Sequence, residues 1–317
     1  PYITSYYKRF WGFCISHKEE ILIEKKYKES DKFKVLIDSS FNNKGSLTYG
    51  EFIIKGKSKQ EILISTYICH PSLANNELSG PIVSMSLINY FQKKKNLKTL
   101  RFIFIPETIG SITYLSKNLN KLKKNFIGGF NLTCIGDDRA HSCMLSKYGN
   151  SQSDKALLET YRIKKIKFKK YSFLLRGSDE RQFNSPGIDL PITSIFRSSY
   201  NGYKEYHTSL DNFDLVSIKG IKGGYEVAKS AIEILQKKII PNSTYCCEPM
   251  LSKRKLHEEK ITGYYNLKDI QNTLNLLHFL QYSDGTNSLE DIANYIKLTY
   301  STTLKIYRIL HRNKLVY

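Results

Sequence analysis

Apolar strand-like segments alternate with amphipathic helical segments through the middle of this chain, and this alternation restricts the fold more than any other feature. The predicted strands cover residues 61–69, 100–105, 126–135 and 191–196. The predicted helices cover residues 78–91, 112–122, 154–161 and 216–235. Such alternation is typical of a mostly parallel sheet flanked by helices. We therefore predict an α/β fold over residues 61–245, with a site at the carboxyl ends of its strands.

Residues 1–60 differ from this pattern because they are rich in aromatic and β-forming residues. Strands are predicted at 34–38 and 47–54, with turn signals between and after them. We predict a small β-rich subdomain that is truncated on its N-terminal side, since the chain begins with Pro1 instead of methionine. Its aromatic side chains would form a core or, alternatively, a binding surface, and they are Tyr2, Tyr6, Tyr7, Phe10, Trp11 and Phe13.

The C-terminal part of the chain has a third character. Residues 246–266 lack a clear period and are predicted to be a linker. Residues 267–317 contain short amphipathic helical patterns, one of them capped by Ser288, and resemble a winged helix-turn-helix. The last predicted helix carries basic side chains that would face phosphates if the module bound DNA, namely Lys305, Arg308, His311 and Arg312. We favour the alternative that this module contacts a protein or another subunit.

The chain carries a formal charge of +20. A nucleic-acid or anionic-membrane partner would explain this charge, but the lysines are spread in short groups, which favours solvated faces. No apolar run reaches about 18 residues, so we expect no membrane span. The six cysteines contain no Cys-x-x-Cys pair, which argues against a thiolate zinc site and agrees with a reducing cytoplasm. Cys69 and Cys134 lie in apolar runs, and we expect both thiols to be buried.

Residues with catalytic chemistry follow the predicted strands at the points where the strands end. His70, Glu107 and Asp137 follow the first three strands, and His207 follows the last one. The carboxyl ends of parallel strands meet at one edge of a sheet, so these side chains would lie on one rim. Two imidazoles with carboxylates suit a catalytic zinc ion, which keeps one position for water. A carboxylate that is not a ligand can take the proton from that water.

Several motifs make the chain similar to a known family. The segments are His70-Pro71-Ser72-Leu73-Ala74-Asn75-Asn76-Glu77-Leu78-Ser79-Gly80, Gly177 to Phe183 and Tyr206-His207-Thr208-Ser209-Leu210-Asp211. They resemble the signatures of co-catalytic zinc aminopeptidases, such as bacterial leucyl aminopeptidase, aminopeptidase Y and the glutaminyl cyclase relatives. Together with Pro106 to Ser111, they are closer still to the bacterial aminopeptidase-like domain family. Members of that family carry a β insertion and a C-terminal winged helix, so the resemblance covers essentially the whole chain.

The resemblance implies a role for individual residues. The metal ligands that it implies are His70, Asn76, Asp137 and His207. Glu107 would be the general base that takes a proton from the metal-bound water. Asp179 and Arg181 would line the substrate. Asp211 would lie behind the ligands and orient the loop of His207.

Two positions depart from the co-catalytic zinc aminopeptidases. Asn76 stands where those enzymes have an Asp that bridges two metal ions. Thr108 stands where many of them have a second Glu after the general base. An amide is neutral, and Thr is not a usual zinc ligand. We therefore favour one zinc ion over two.

We predict a cytoplasmic, zinc-dependent hydrolase of the aminopeptidase type that acts on a peptide or a small amide. One alternative is an N-acyl or amide hydrolase acting on a sugar or small metabolite, because members of the aminopeptidase-like domain family are often associated with polysaccharide biosynthesis. The other is a degenerate scaffold that binds a ligand without cleaving it. Asn76 and the positive charge motivate this alternative. We expect no membrane partner, and we leave nucleic acid and a homo-oligomer open as partners.

Overall fold

A computed structural model of the chain describes residues 11–38, 40, 42–256 and 267–317, with side chains in the last range described from residue 271. Most of the aromatic residues predicted to form a core or binding surface at the start of the chain lie outside the described residues, and they are Tyr2, Tyr6, Tyr7 and Phe10. The chain divides into two compact units, one ending at Ile232 and the other beginning at Glu233.

The first unit is built on one seven-stranded sheet. Its strands are β1 (Gly50–Ile54), β2 (Ser58–Tyr67), β3 (Lys98–Ile105), β4 (Phe126–Leu132), β5 (Ser142–Met144), β6 (Lys169–Tyr171) and β7 (Ile192–Phe196). The strand order is β1-β3-β2-β4-β7-β5-β6. The four central strands β3, β2, β4 and β7 are parallel, whereas β1 and β5 run antiparallel to the neighbours β3 and β7. The predicted fold class, a mostly parallel sheet flanked by helices, is confirmed.

Helices precede, connect or follow these strands. They are α1 (His17–Lys26), α2 (Ser79–Phe91), α3 (Ile109–Asn125), α4 (Gln152–Ile163), α5 (Glu180–Phe183) and α6 (Ile218–Lys237). The strand β2 is buried on both faces from Glu61 to Tyr67, as expected for the centre of a parallel sheet. On one face, Leu63 and Ile103 pack against Leu115 of α3. The carboxyl ends of the central strands therefore remain accessible only at one edge of the sheet.

The second unit contains α7 (Leu267–Gln281), α8 (Leu289–Tyr295) and α9 (Tyr300–Arg312). Ser288 caps α8 as predicted, because its hydroxyl accepts a hydrogen bond from the Asp291 N–H. The core of this unit includes Phe279, Ile292 and Leu310, and Leu251 packs in the same core. The predicted linker at 246–266 is therefore corrected in part, since Leu251 belongs to the folded unit. No helix among the described residues is long and apolar enough to span a membrane.

The described part of residues 1–60 does not form the predicted separate β subdomain. Residues 34–38 have no regular secondary structure, and α1 precedes them. The predicted strand at 47–54 is present as β1, but it joins the edge of the main sheet by pairing with β3. Trp11 and Phe13 are exposed and form no buried core. The alternation of apolar residues indicated a strand correctly, but it could not identify the partner strand.

Candidate active site

The first candidate residues lie in the connection between β2 and α2. There the chain forms one π-helical turn, Ala74–Leu78, a rare geometry that is frequent at functional sites. Glu77 reaches back from this turn, and its Oε2 accepts hydrogen bonds from the N–H groups of Cys69 (3.0 Å) and His70 (2.7 Å). The Cys69 Sγ lies 3.3 Å from Nδ1 of His70. The turn thus holds His70 just beyond the end of β2.

Glu107 lies directly after β3 on a strained turn. Thr108 has φ 62° and ψ −67°, and the Ile109 N–H donates to the Glu107 carbonyl over 2.7 Å. These values define a γ-turn of the rare and strained type. The Glu107 Oε2 lies 3.9 Å from Nε2 of His70. The ends of two adjacent parallel strands therefore bring this carboxylate and this imidazole together.

Asp179 and Arg181 hold the γ-turn in place. Asp179 is fully buried, and its Oδ1 accepts a hydrogen bond from the Thr108 N–H over 2.7 Å. The Nη2 of Arg181 donates to Thr108 Oγ1 over 2.5 Å. Burial and the nearby charge of Glu107 raise the pKa of Asp179 to about 7. The hydrogen bonds of Asp179 and Arg181 connect them to the turn that carries Glu107, and their role in lining the substrate stays a prediction.

His207 enters from the connection between β7 and α6. Its φ of 57° is in the left-handed region, and the Tyr206 ring stacks on its imidazole with centroids 3.8 Å apart. The ring centroids of His207 and His70 are 5.3 Å apart. Burial and the charge of His70 lower the pKa of His207 to about 4, so its imidazole is neutral at pH 7. The structure therefore brings His207, His70 and Glu107 together.

The charges of His70 and Glu107 depend on each other. Burial alone would lower the pKa of His70, but hydrogen bonds with Cys69 and Glu77 and the charge of Glu107 raise it to about 10. Burial raises the pKa of Glu107 above its usual range, although the charges of His70 and Arg181 act in the opposite direction. A carboxyl group with a raised pKa is better matched to proton transfer near neutral pH.

Asp211 connects the two loops that carry the histidines. Its Oδ1 accepts a hydrogen bond from the Asn75 N–H (2.6 Å), and its Oδ2 accepts one from the Asn76 N–H (2.9 Å). Its backbone carbonyl accepts a third from the Ala74 N–H (3.0 Å). The π-helical turn is thereby fixed to the segment that follows His207, an arrangement that fits the predicted orienting role of Asp211.

In the part of the chain that the structure describes, the side chain of Asn76 forms hydrogen bonds only with uncharged groups, while its backbone N–H donates to Asp211. Its Oδ1 accepts hydrogen bonds from the hydroxyl of Tyr67 and the thiol of Cys134, and its buried Nδ2 has no hydrogen-bond partner among the described residues. Thr133, at the end of β4, contacts the Tyr67 hydroxyl at 2.5 Å. Burial raises the pKa of Cys134 to about 12, so this thiol is not ionised at neutral pH. These groups offer no negative charge to a cation.

Asp137 has a different position from the one that the predicted ligand role requires. Its Oδ1 accepts hydrogen bonds from the Ser198 hydroxyl and the Arg139 N–H, and its Oδ2 accepts from the Ser198 N–H and the Asn75 amide, over 2.7–3.2 Å. An ionised carboxylate has about four lone-pair sites, and these four donors use them. Asp137 therefore holds loops together, and its hydrogen bonds argue against a ligand role.

The described residues include one compact group of side chains with ligand chemistry. One donor atom each of Cys69, His70 and Glu107 lie within 4.8 Å of one another. Sulfur, imidazole nitrogen and carboxylate oxygen are all donors that zinc accepts, so the chemistry of this group suits zinc.

Cys69 and Glu77 were not among the predicted site residues. Cys69 was expected to be a buried thiol, but it is exposed, because β2 ends at Tyr67 and the thiol lies beyond the sheet. The predicted burial of Cys134 is correct. The signal available for Glu77 was a carboxylate within the motif, seven residues after His70. Its hydrogen bonds depend on the π-helical turn, which apolar periodicity does not reveal.

Comparison with known families identifies the larger part of the chain. A family model described as "Domain of unknown function (DUF4910)" matches residues 22–238. The chain belongs to this family. A second model, described as "winged helix-turn-helix", matches residues 238–317 and agrees with the predicted C-terminal module. This DUF4910 chain therefore combines the site-bearing sheet with a winged-helix unit.

One relative of this DUF4910 protein comes from Clostridium acetobutylicum and is described as "Putative polysaccharide biosynthesis protein with aminopeptidase-like domain". The two are 39% identical over 301 residues, which cover 92% of this chain and 65% of the relative. A crystal structure of a "putative peptidase" from the same species has a TM-score of 0.70 and 36% identity, covering 100% of this chain and 70% of that one. The resemblance to the aminopeptidase-like domain family is thereby confirmed, although the chain spans only about two thirds of the relative.

More distant structures share the fold of this DUF4910 unit. An aminopeptidase from Aneurinibacillus sp. strain AM-1 has a TM-score of 0.51 and 20% identity, covering 58% of this chain and 47% of that one. A zinc aminopeptidase from Bacillus subtilis has a TM-score of 0.50 and 19% identity, covering 57% of this chain and 48% of that one. The α/β unit therefore has the zinc aminopeptidase fold.

Proposed function

We propose that this protein is a hydrolase of the aminopeptidase type that cleaves an amide bond with the help of one zinc ion. The observation that carries the proposal is the convergence of Cys69, His70 and Glu107 at the ends of two adjacent parallel strands. The imidazole of His207 next to His70 adds a further nitrogen donor. Cys69, His70 and His207 would hold the ion, and His70 would lose its proton when the ion binds, because a ligating imidazole is neutral.

Glu107 would transfer the proton in this reaction. A zinc ion held at this position would polarise the amide carbonyl and lower the pKa of a water molecule. Glu107 would take the proton from the attacking water and return it to the leaving nitrogen. The position of the Glu107 Oε2, 3.9 Å from Nε2 of His70, supports this role, because it places the carboxylate beside a proposed ligand of the ion. Thr108, Asp179 and Arg181 would position Glu107 through the γ-turn.

The substrate would be a peptide or a small amide. The description of the C. acetobutylicum relative as a polysaccharide biosynthesis protein supports a variant of this proposal, in which the amide is an N-acyl group on a sugar. A panel containing both aminoacyl amides and N-acyl sugars separates these substrates. Turnover of peptides without any turnover of sugars would remove the sugar variant.

Replacing Glu107 with Gln tests the proposed role of its carboxylate. We expect Glu107→Gln to lower kcat by about 10²- to 10⁴-fold on the best amide substrate, because an amide cannot accept the proton. The measurements are kcat, KM and the zinc content of purified protein. Glu24→Gln removes an exposed carboxylate on α1 and serves as the matched control.

The zinc content of the Glu107→Gln variant distinguishes a general base from a metal ligand. If Glu107 is the base, the Gln variant keeps its zinc and loses turnover. If Glu107 is instead a ligand, zinc and turnover are lost together. Purified protein without zinc, combined with wild-type turnover by Glu107→Gln on every amide tried, would contradict the proposal.

A degenerate scaffold that only binds is a second candidate. The observation that favours it is the uncharged set of partners around the Asn76 side chain, where the co-catalytic zinc aminopeptidases place a bridging carboxylate. On this proposal the protein binds substrate-like amides without cleaving them. Binding of such amides by wild type, with no product after prolonged incubation with zinc, would support this candidate over the enzyme.

A further inference from the structure

A cleft of about 700 Å³ in the first unit is lined in part by Arg181, whose guanidinium donates a hydrogen bond to Thr108 of the γ-turn. Its walls come from the segments after β5, β6 and α5. Four cationic side chains line it, namely Lys147, Lys170, Arg176 and Arg181. In the part of the chain that the structure describes, no Asp or Glu contributes to the lining. We call this the cationic cleft.

The positive charges of the cationic cleft have no direct carboxylate partner among the described residues, although the charge of Arg181 acts on nearby Glu107. None of the four side chains forms an ion pair with a carboxylate of the described residues. The only hydrogen bond of the Arg176 side chain to another described residue is a long one of 3.5 Å to the Phe173 carbonyl. Like charges in one cleft repel each other, and a bound anion would relieve this repulsion.

Arg181 connects the cationic cleft to Glu107. Its Nη2 is bonded to Thr108 Oγ1, while its Nε is buried and has no hydrogen-bond partner among the described residues. A guanidinium has five N–H donors, and a buried donor without a partner costs free energy. An anion in the cleft would reach the Arg181 guanidinium. That guanidinium is bonded to Thr108, the residue that directly follows the proposed general base Glu107.

The size of the cationic cleft indicates more than a single small anion. Small-molecule sites commonly measure about 300–1,000 Å³, and this cleft falls within that range. Aromatic rings also line it, among them Phe173, which lies 5.3 Å below the Arg176 guanidinium, and Tyr148, which is 79% exposed. Rings beside cations suit a larger organic group that carries the negative charge.

We propose that the substrate carries an anionic group, a carboxylate or a phosphate, that binds in the cationic cleft while its scissile amide lies at Glu107. The position of the scissile amide in this inference rests on the hydrolase function proposed above. The binding of an anion in the cleft does not depend on that function. This proposal restricts the substrate class to amides with a negatively charged group on one side of the scissile bond. Simple neutral aminoacyl amides would be poor substrates.

The binding test uses two probes, inorganic pyrophosphate for the phosphate source and citrate for the carboxylate source. Affinities are measured by titration calorimetry at low salt with the whole chain. The cleft variant is Lys170→Gln/Arg176→Gln, which changes two exposed side chains. We expect it to weaken binding of the preferred probe by about tenfold for each cation removed, because hydrogen bonds to charged groups are of that strength.

A matched variant controls for the high charge of the whole chain. Lys95→Gln/Lys124→Gln also removes two exposed cations, but outside the cleft. We expect it to change affinity by less than about threefold. An equal loss of affinity in both variants would overturn the proposal, because the probe would then respond to net charge alone. Failure of wild type to bind either probe would overturn it as well.

The turnover test separates the cationic cleft from the hydrolase function. Neutral aminoacyl amides are compared with matched amides that carry a succinyl or a phosphoryl group. We expect kcat/KM to favour one charged series by about tenfold or more, and the cleft variant to remove most of this preference. Equal turnover of neutral and charged amides would overturn the cleft proposal and leave the hydrolase intact. If probe binding depends on the cleft but no amide is turned over, the cleft proposal stands and the hydrolase proposal is contradicted.

Discussion

Thr108 adopts a conformation that costs free energy, and the surrounding residues maintain it. A non-glycine residue in such a sparsely populated region costs about 1–3 kcal/mol. The N–H of Thr108 is held by the buried Asp179 carboxylate, and its hydroxyl is held by Arg181. Such a strained conformation persists when several contacts from neighbouring groups hold the backbone in it. The two contacts therefore explain how Glu107 keeps its position after β3.

Substitution of Asp179 tests this positioning role. We expect Asp179→Ala to lower kcat by about tenfold or more with little change in KM, because the γ-turn relaxes and Glu107 moves from its productive position. Asp179→Asn is the matched variant, since its amide oxygen can still accept the Thr108 hydrogen bond and should restore most of kcat. Steady-state kinetics with an unchanged circular dichroism spectrum provide the measurement. An Asn variant as inactive as the Ala variant would show that charge matters instead of the hydrogen bond.

At the level of single residues, the sequence predicted strand-end positions better than side-chain partners. His70, Glu107 and His207 come together, because the parallel strands and their loops bring their ends to one edge. Asp137 also follows a strand, but four donors from neighbouring loops occupy its oxygens. Those donors depend on loop conformations that are not encoded in apolar periodicity. Asn76 was recognised from the motif alone, whereas the uncharged partners of its side chain required the structure.

The start of α2 is packed directly against the sheet. A Cβ atom on Gly80 would lie 2.2 Å from Thr66 Oγ1 and 2.6 Å from the Leu132 carbonyl. Only glycine therefore permits the helix to begin this close to β2 and β4. Because the π-helical turn ends where α2 begins, the same close approach sets the position of the turn that supports His70.

We expect Gly80→Ala to destabilise the protein by about 1–3 kcal/mol, because either the helix or the strands must move to make room for the methyl group. Gly50→Ala is the matched control, since the nearest atom to its added Cβ is 3.6 Å away, an ordinary contact. Urea unfolding of both variants measures the free-energy change. A destabilisation no larger than that of the control would mean that the start of α2 is more adaptable than this packing implies.

Long elements were predictable and short ones were not. The central strands and the helices α2, α3, α4 and α6 have enough apolar positions to show a clear period, and their observed bounds are close to the predicted ones. β5 and β6 have three residues each and show no period. Residues 34–38 have strand-forming composition but no strand among the described residues to pair with them, so propensity alone was misleading.

The net charge of +20 comes largely from lysines that occur in short groups along the chain. On the winged-helix unit, the exposed cations of α9 include Lys305 and Arg308. We expect retention on DNA to be weak, to fall with salt because phosphate contacts release counterions, and to be reduced by Lys305→Gln/Arg308→Gln no more than by Lys95→Gln/Lys124→Gln. Salt-dependent binding measurements test this. A selective loss in the α9 variant would instead favour nucleic acid as a partner of this unit.

The hydrogen bonds of Asp211 have a consequence for the order in which the site forms during folding. Asn75 and Asn76 lie 136 and 135 positions before Asp211 in the sequence. These hydrogen bonds are therefore among the most non-local contacts of the first unit. Closing a loop of this length is slow compared with forming a helix or hairpin, because its entropy is lost before the contact is gained. A chain still being synthesised can form β2 and α2, but it cannot fix the π-helical turn until Asp211 has left the ribosome. Incomplete chains would therefore expose His70 and Cys69 without the arrangement needed for chemistry.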